Sequence, residues 1–253
     1  MTAVHEQYAT EMRQQFGYLA TWLPGTRISV GDVGVLRGSR FEPYTTLAGL
    51  RVDFGMRPVG TPGDLEYASA GQVEVEWHGQ AGLLAGSMAG AQTRVTVSFK
   101  RSHATFFQAS RAATSAISDL PAVERALIGL GGDWQREWVV VTEVVKARSA
   151  VVVVSSRRGG RLDLRVQGGE PGASLAELAS RVQVNSEAGI AARVVSPTGL
   201  TPLFRVCQLR GGRVRRVSLV YRGGREQDSP IHAPEPGSRL TEPGESGGHR
   251  DGV

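Results

Sequence analysis

The sequence predicts an α+β protein built on a large, twisted antiparallel β-sheet with flanking helices. The first observation is a valine-rich stretch, Trp138–Ser155, because β-branched side chains favour strands. The second is a pair of segments in which apolar and polar residues alternate, as in strands with one buried face. The third is that helical periodicity is confined to a few short segments of the 253-residue chain.

A short helix is predicted first, over residues 3–16, because Val4, Tyr8 and Met12 recur at four-residue spacing. The two alternating segments follow, joined by a Gly- and Ala-rich linker, and they predict a pair of amphipathic strands. Their alternating apolar residues are Val73, Val75 and Trp77 in the first strand, then Val95, Val97 and Phe99 in the second.

A second helix is predicted after Asp119, whose side chain suits the N-cap, with Pro121 in the first turn. The glycines Gly131 and Gly132 end it. Its apolar stripe consists of Val123, Leu127 and Leu130.

The valine-rich stretch then predicts one strand of about 60 Å, at about 3.3 Å per residue. Strands in globular domains usually end by about ten residues, so its length calls for an explanation. A turn at Arg157–Gly160 and a returning strand are predicted next, with Leu162, Leu164 and Val166 on its apolar face. A small helix over residues 173–179 and two or three further strands complete the domain.

After Tyr221 the composition changes to Pro, Gly, Ser and charged residues, which predicts a disordered tail. We therefore divide the chain into a domain over residues 1–221 and a polar tail over 222–253. Residues 224–253 contain three arginines and six acidic residues, so they carry −3 of a net charge of +5, and the residues before them carry +8. A basic body suits a polyanionic partner, although the arginine usage of a GC-rich genome explains the charge equally well.

Several classes of function are disfavoured. The sequence has no run of 18 apolar residues and hence no predicted transmembrane helix. Its single cysteine, Cys207, excludes an internal disulfide, suits a reducing compartment and is predicted to be a buried, inert thiol on a strand. The sequence has neither the residue spacing of a metal site nor a phosphate-binding loop. We therefore expect no catalytic residues, no metal and no cofactor. Glu143 is predicted to occupy a solvent-facing strand position rather than a catalytic one.

Three segments, taken in order, resemble the pore-forming domain of gasdermins. The first is a helix with Pro121 and Glu124 that leads to a Gly132-Asp133 step. The second is the Val-Thr-Glu-Val core over residues 141–144, and the third is the later strand with Phe204-Arg205-Val206. The resemblance covers about residues 70–221.

The resemblance implies a protein that stays soluble until it is released from an inhibitory segment. It then forms a homo-oligomer and inserts two β-hairpins per subunit into an acidic membrane, causing lytic cell death or bacterial defence. The protein is then expected in the cytoplasm when inactive and at the inner membrane when active. An activating protease or an inhibitory partner is implied, and the tail is a candidate inhibitory segment with candidate cleavage points at Arg225 and Arg239.

The resemblance also assigns residues to the membrane. Arg157, Arg158 and Arg161 would contact lipid headgroups at the turn of the second hairpin, each worth about 1 kcal/mol near an acidic surface. Aspartate at Val151 or Val153 would then leave the soluble monomer folded. The residues expected to face lipid are Val73, Val75, Trp77, Val95, Val97, Phe99, Val145, Val151, Val153, Leu162, Leu164 and Val166.

Two alternatives remain. From the pattern alone, the valines are better explained as the core of an ordinary antiparallel sheet. A binding module is the other alternative, and nucleic acid is the weaker partner because no aromatic residues are interleaved with the arginines. The arginines that would grip a nucleic acid or a partner protein are Arg157, Arg158, Arg161, Arg213, Arg215 and Arg216.

Overall fold

The computed structural model describes residues 4–22, 26–78, 92–167, 173–196, 199–210 and 213–216. They belong to one compact unit, residues 1–219; the second unit, residues 220–253, contains no described residue. The helices and strands are α1 Val4–Phe16, β1 Leu19–Ala20, β2 Asp32–Arg37, β3 Arg40–Thr46, β4 Met56–Ala68, β5 Val73–His78, β6 Gln92–Phe99, β7 Thr105–Ile117, α2 Leu120–Gly129, β8 Trp138–Ala147, β9 Ser149–Ser155, β10 Gly160–Gln167, β11 Val182–Ala188, β12 Ile190–Ser196, β13 Leu200–Arg210 and β14 Arg213–Arg216.

Both longer helices are confirmed. The side chain of Asp119 accepts a hydrogen bond from the backbone N of Ala122 at 2.9 Å and so caps α2, and Val123 and Leu127 are buried. The small helix predicted over residues 173–179 was wrong. Turns occupy 175–178 and a short 3₁₀ helix follows at Ala179–Arg181, because so short a segment does not offset the cost of helix nucleation.

The predicted α+β class with a large antiparallel sheet is confirmed. Ten strands form this large sheet, whose main path runs β1-β13-β8-β7-β9-β12, with β14 on β13, β2 and β3 beside β8, and β4 on β7. A second, four-stranded sheet has the order β11-β10-β6-β5. All recorded strand pairs are antiparallel.

The valine-rich stretch is divided at Arg148 into β8 and β9, not one uninterrupted strand. Both strands pair with β7, and the backbone N of Arg148 donates to the carbonyl of Ser110 at 3.0 Å. Arg111, opposite this break, has a φ of 48°. The irregularity on both strands shifts the side-chain alternation by one residue, so the rows of β8 and β9 change faces at Arg148.

Three hydrophobic clusters hold the domain together. One lies around α2, β8 and β13, and a second between α1 and the large sheet. The third lies between the large sheet and the four-stranded sheet. Strand β9 contributes to the last two and is buried along its whole length, which explains why valine runs through it without alternation.

We call the side chains on the face of the large sheet that α1 covers the α1-facing row, and those on the opposite face the inner row. Members of the α1-facing row on β7 and β9 are Phe107, Ala109, Ala150, Val152 and Val154. Members of the inner row on the same strands are Phe106, Val151 and Val153.

Candidate functional site

The four-stranded sheet and four strands of the large sheet form one ribbon that is folded over on itself. In the large sheet, four strands lie in the order β4, β7, β9, β12, and in the smaller sheet their chain neighbours β5, β6, β10 and β11 lie in the same order. Each strand therefore continues into its counterpart through a short connection. We call residues 69–72, 100–104, 156–159 and 189 the corner segments.

The central strand pair keeps one register across the corner. In the four-stranded sheet Phe99 pairs with Gly160, and in the large sheet Thr105 pairs with Val154. In every β6–β10, β7–β9 and β7–β8 pair the two residue numbers add up to 259. The corner therefore bends these two strands without shifting one along the other.

Each corner segment contains one residue in the left-handed backbone region. Three are glycines, Gly71, Gly159 and Gly189, with φ of 63°, 75° and 62°. The fourth is His103, at 59°. A straight strand needs negative φ at all four positions, so the corner is specified by local backbone conformation, at low cost for glycine.

The inner face of the four-stranded sheet is apolar. Most of the residues predicted to face lipid in the first hairpin and in β10 are buried here against the inner row, although Val75 and Trp77 are 36% and 46% exposed. Val184 on β11, which the sequence analysis did not identify, continues the same face. The buried members are Val95, Val97, Phe99, Leu162, Leu164 and Val166.

The outer face of the same sheet is polar and has its own network around Asp163, which is 5% exposed. Thr96 and Ser186 donate hydrogen bonds to its carboxylate at 2.7 and 2.9 Å. Arg94 and Arg161 donate at 3.0 and 3.1 Å. Donors therefore reach this carboxylate from both neighbouring strands and from β10 itself, which ties strands of both hairpins together.

The strand pairing predicted for the second hairpin was wrong. The turn at Arg157–Gly160 does not join two paired strands, because β9 pairs with β7 and β12 whereas β10 pairs with β6 and β11. Arg157 and Arg158 therefore lie at the corner and not at a hairpin tip. Residues 79–91 connect β5 with β6, and residues 168–172 are the first part of the connection between β10 and β11. Both segments lie outside the described residues.

The single lipid-facing row predicted on β8 and β9 also needs correction. Val145 packs with the α1-facing row, whereas Val151 and Val153 belong to the inner row, because the alternation shifts at Arg148. Val151 and Val153 are fully buried between the two sheets. This burial argues against the expectation that aspartate at either position leaves the monomer folded, since an unpaired carboxylate there is costly.

The predicted arginine cluster is dispersed. Arg157 and Arg158 are exposed at the corner, where Lys100 and Arg101 join them, while Arg161 contacts Asp163 on the outer face. The side chains of Arg213, Arg215 and Arg216 lie outside the described residues, as do Arg225, Arg239 and the predicted domain boundary. The corner segments thus carry four exposed basic side chains, of which the sequence analysis identified Arg157 and Arg158.

Glu143 is not the solvent-facing residue that the sequence predicted. It forms an ion pair with Arg205 at 3.1 Å and accepts a hydrogen bond from the hydroxyl of Tyr18. Burial and then this hydrogen bond raise the pKa of Tyr18 to about 12. The guanidinium of Arg205 lies 3.8 Å from the centre of the Tyr18 ring. Glu143 and Arg205 thus lie opposite each other on the neighbouring strands β8 and β13. Their contacts with Tyr18 anchor the chain just after α1.

Cys207 is buried on β13, as predicted, 3.7 Å from the hydroxyl of Thr142. Among the described residues, no helix is long and apolar enough to cross a membrane. In the same part of the chain, no group of three or more His, Cys, Asp or Glu side chains is placed to hold a metal ion.

Among solved structures, this chain is similar to a bacterial gasdermin from Bradyrhizobium tropiciagri. It is 13% identical, with 84% of this chain and 90% of that chain covered and a TM-score of 0.34. No protein-family model and no curated protein matches the sequence.

Proposed function

We propose that this protein is a non-enzymatic pore former, in which copies of the chain assemble on an acidic membrane and each inserts two β-hairpins into a shared barrel. The observation that carries the proposal is the single register of the central strand pair across the corner. Such a ribbon straightens by unbending, without new pairing between its central strands. The resemblance of residues 70–221 to gasdermin pore-forming domains supports the same function.

The dimensions and the faces of the ribbon suit this function. Straightening joins β9 to β10 over residues 149–167, about 60 Å at about 3.3 Å per residue. A spanning strand needs only about 9–11 residues, so the straightened strand is long enough to cross a membrane and to extend beyond it. One apolar face and one polar face are the pattern of a transmembrane barrel strand. Lipid offers no hydrogen-bond partner to the backbone groups at a strand edge, so the strands of neighbouring subunits must pair before insertion.

The alternation identifies the row that meets lipid. Phe107 and Phe99 are eight positions apart, and so are Val154 and Leu162. Residues an even number apart share a face in an uninterrupted strand. The apolar row of the four-stranded sheet therefore continues into the α1-facing row and not into the inner row that contains Val153.

Acidic lipid is the partner that the corner suits. Lys100 and Arg101 form ion pairs with Glu74 and Glu11 at 3.5 Å, whereas Arg157 and Arg158 form no ion pair with any described residue. In the straightened ribbon these four side chains lie at the base of the inserted segments, at the level of the headgroups. The pore then acts in bacterial cell death or defence. The inactive protein is stored in the cytoplasm and acts at the membrane, and the tail, a protease or a partner protein controls its activation.

Dye release from phosphatidylglycerol vesicles tests this function, with the full chain and a chain ending at Tyr221. Release by either chain supports pore formation. Release only after truncation assigns the inhibition to the tail, and release by both assigns it to another protein. Silence from both chains, each shown to be folded by circular dichroism, contradicts the proposal.

Cysteine labelling in the pore tests the assignment of faces. Leu164→Cys on the apolar face of β10 and Arg165→Cys on its polar face are compared in a chain with Cys207→Ala, using a water-soluble maleimide on the membrane-bound protein. We expect Leu164→Cys to be protected by lipid and Arg165→Cys to react from the lumen. The opposite pattern would contradict the assignment of the apolar row to lipid.

A further inference from the structure

Helix α1 meets the ribbon at the corner through a buried carboxylate. Glu11 on α1 is 5% exposed, and its Oε2 accepts a hydrogen bond from the hydroxyl of Ser69 at 3.0 Å. Its Oε1 lies 3.5 Å from Nη2 of Arg101 and accepts a hydrogen bond from Gln7 at 3.0 Å. Ser69 and Arg101 belong to the two corner segments of the first hairpin, so one carboxylate joins α1 to both.

The contact with Ser69 also completes the folded corner. The hydroxyl of Ser69 accepts a hydrogen bond from the backbone N of Thr105 at 2.8 Å, where the β4–β7 ladder ends. The backbone N of Ser69 donates to the carbonyl of Thr105 at 3.0 Å. Glu11 therefore fixes the hydroxyl that satisfies the first amide of β7.

Helix α1 covers the row that continues the apolar face of the four-stranded sheet once the ribbon is straight. Tyr8 and Met12 are fully buried in one cluster with Phe107 and Val152 of this α1-facing row. The same helix carries Glu11, which contacts both corner segments of the first hairpin. Straightening of the corner therefore breaks contacts that hold α1 in place.

Resting on the proposed function, we infer that Glu11, Ser69 and Arg101 form an autoinhibitory latch that acidic phospholipid headgroups open by competing for Arg101. Arg101 is half exposed, so a headgroup phosphate reaches it from solvent. A phosphate that binds Arg101 leaves the buried carboxylate of Glu11 without its cation, which disfavours the docked helix. The latch makes opening of the ribbon depend on an acidic surface.

The test is Glu11→Gln, which keeps the size of the side chain and an acceptor for Ser69 but removes the charge that holds Arg101. Dye release is measured on phosphatidylcholine vesicles with rising fractions of phosphatidylglycerol. We expect release that is roughly tenfold faster than wild type at low phosphatidylglycerol, converging with wild type at high phosphatidylglycerol. Glu42→Gln makes the same charge change and breaks an ion pair with Arg37 in the β2–β3 hairpin, outside the ribbon, and is expected to match wild type.

Each outcome bears on the latch. Wild-type release with an unchanged lipid dependence in Glu11→Gln overturns the latch and leaves the pore standing. Acceleration by the same factor at every composition shows simple destabilisation and also overturns it. Silence from all variants overturns the proposed function and the latch with it. If Glu11→Gln does not fold, Arg101→Gln breaks the same ion pair from its exposed side and carries the same expectation at low phosphatidylglycerol.

Discussion

The large sheet and the four-stranded sheet use similar residues in different ways. Strand β9 in the large sheet is buried on both faces, so its valines do not alternate with polar residues. Strand β10, which follows it in the chain, alternates because its outer face carries Arg161, Asp163 and Arg165. A strand with two apolar faces is fixed in a core, whereas a strand with one apolar face can exchange a protein neighbour for lipid. Under the proposed function, the four-stranded sheet is therefore the part that we expect to move.

The largest expected effect comes from a charge on the doubly covered strand. Val151→Asp places a carboxylate between the sheets and should lower the free energy of unfolding by more than about 4 kcal/mol, or prevent folding. Gln183→Asp on the outer face of β11, opposite Arg165, should change it by less than about 0.5 kcal/mol. Urea denaturation of both monomers measures the contrast. A stable Val151→Asp monomer would mean that the two sheets are not packed together.

The outer face is expected to contribute less than the core but more than an ordinary surface. Asp163→Ala removes an acceptor of four hydrogen bonds and leaves the buried hydroxyl of Thr96 without it, so the free energy of unfolding should fall by about 2–3 kcal/mol. The control is Glu42→Ala, which removes an exposed ion pair with Arg37 and should cost at most about 1 kcal/mol. Equal losses in urea denaturation would show that the Asp163 network is an ordinary solvated surface.

The corner arginines should affect binding and not folding. Arg157→Glu with Arg158→Glu should weaken binding to phosphatidylglycerol vesicles by at least about 30-fold, because each cation near an acidic surface contributes about 1 kcal/mol. Binding to phosphatidylcholine vesicles should not change. Flotation with both kinds of vesicle measures the two affinities. A loss on both kinds would remove the headgroup role of the corner.

The smallest expected effect concerns the corner backbone. A side chain added at Gly71 or Gly159 meets no atom within 4 Å, so alanine tests only the left-handed conformation. Each change should destabilise the bent ribbon by about 1 kcal/mol and speed dye release roughly fivefold. Gly38→Ala is the matched control, with a φ of 61° and equally open space in the β2–β3 turn. Release that rises equally in the control would assign the effect to general instability.

Local signals predicted some elements and missed others for physical reasons. The cap at Asp119 and the alternation of β5 and β6 are written in neighbouring residues, so their elements were predicted correctly. The turn at Arg157–Gly160 resembles a hairpin turn, but the pairing of β9 with β7 joins residues 39 to 49 positions apart. The reversal of faces at Arg148 and the ion pair of Glu143 with Arg205 depend on neighbouring strands in the same way.

The sequence by itself determined which strands are apolar on one face, where the helices begin and that glycines stand at three of the four corner segments, because these features depend on side-chain type and local backbone. Only the tertiary structure decided that the four-stranded sheet and four strands of the large sheet form one folded ribbon. It also decided that α1 covers the row that continues the apolar face of this ribbon, and that Glu11 contacts Ser69 and Arg101. Those facts depend on which strands pair over long separations, and the energy of that pairing is shared among residues that no local pattern links.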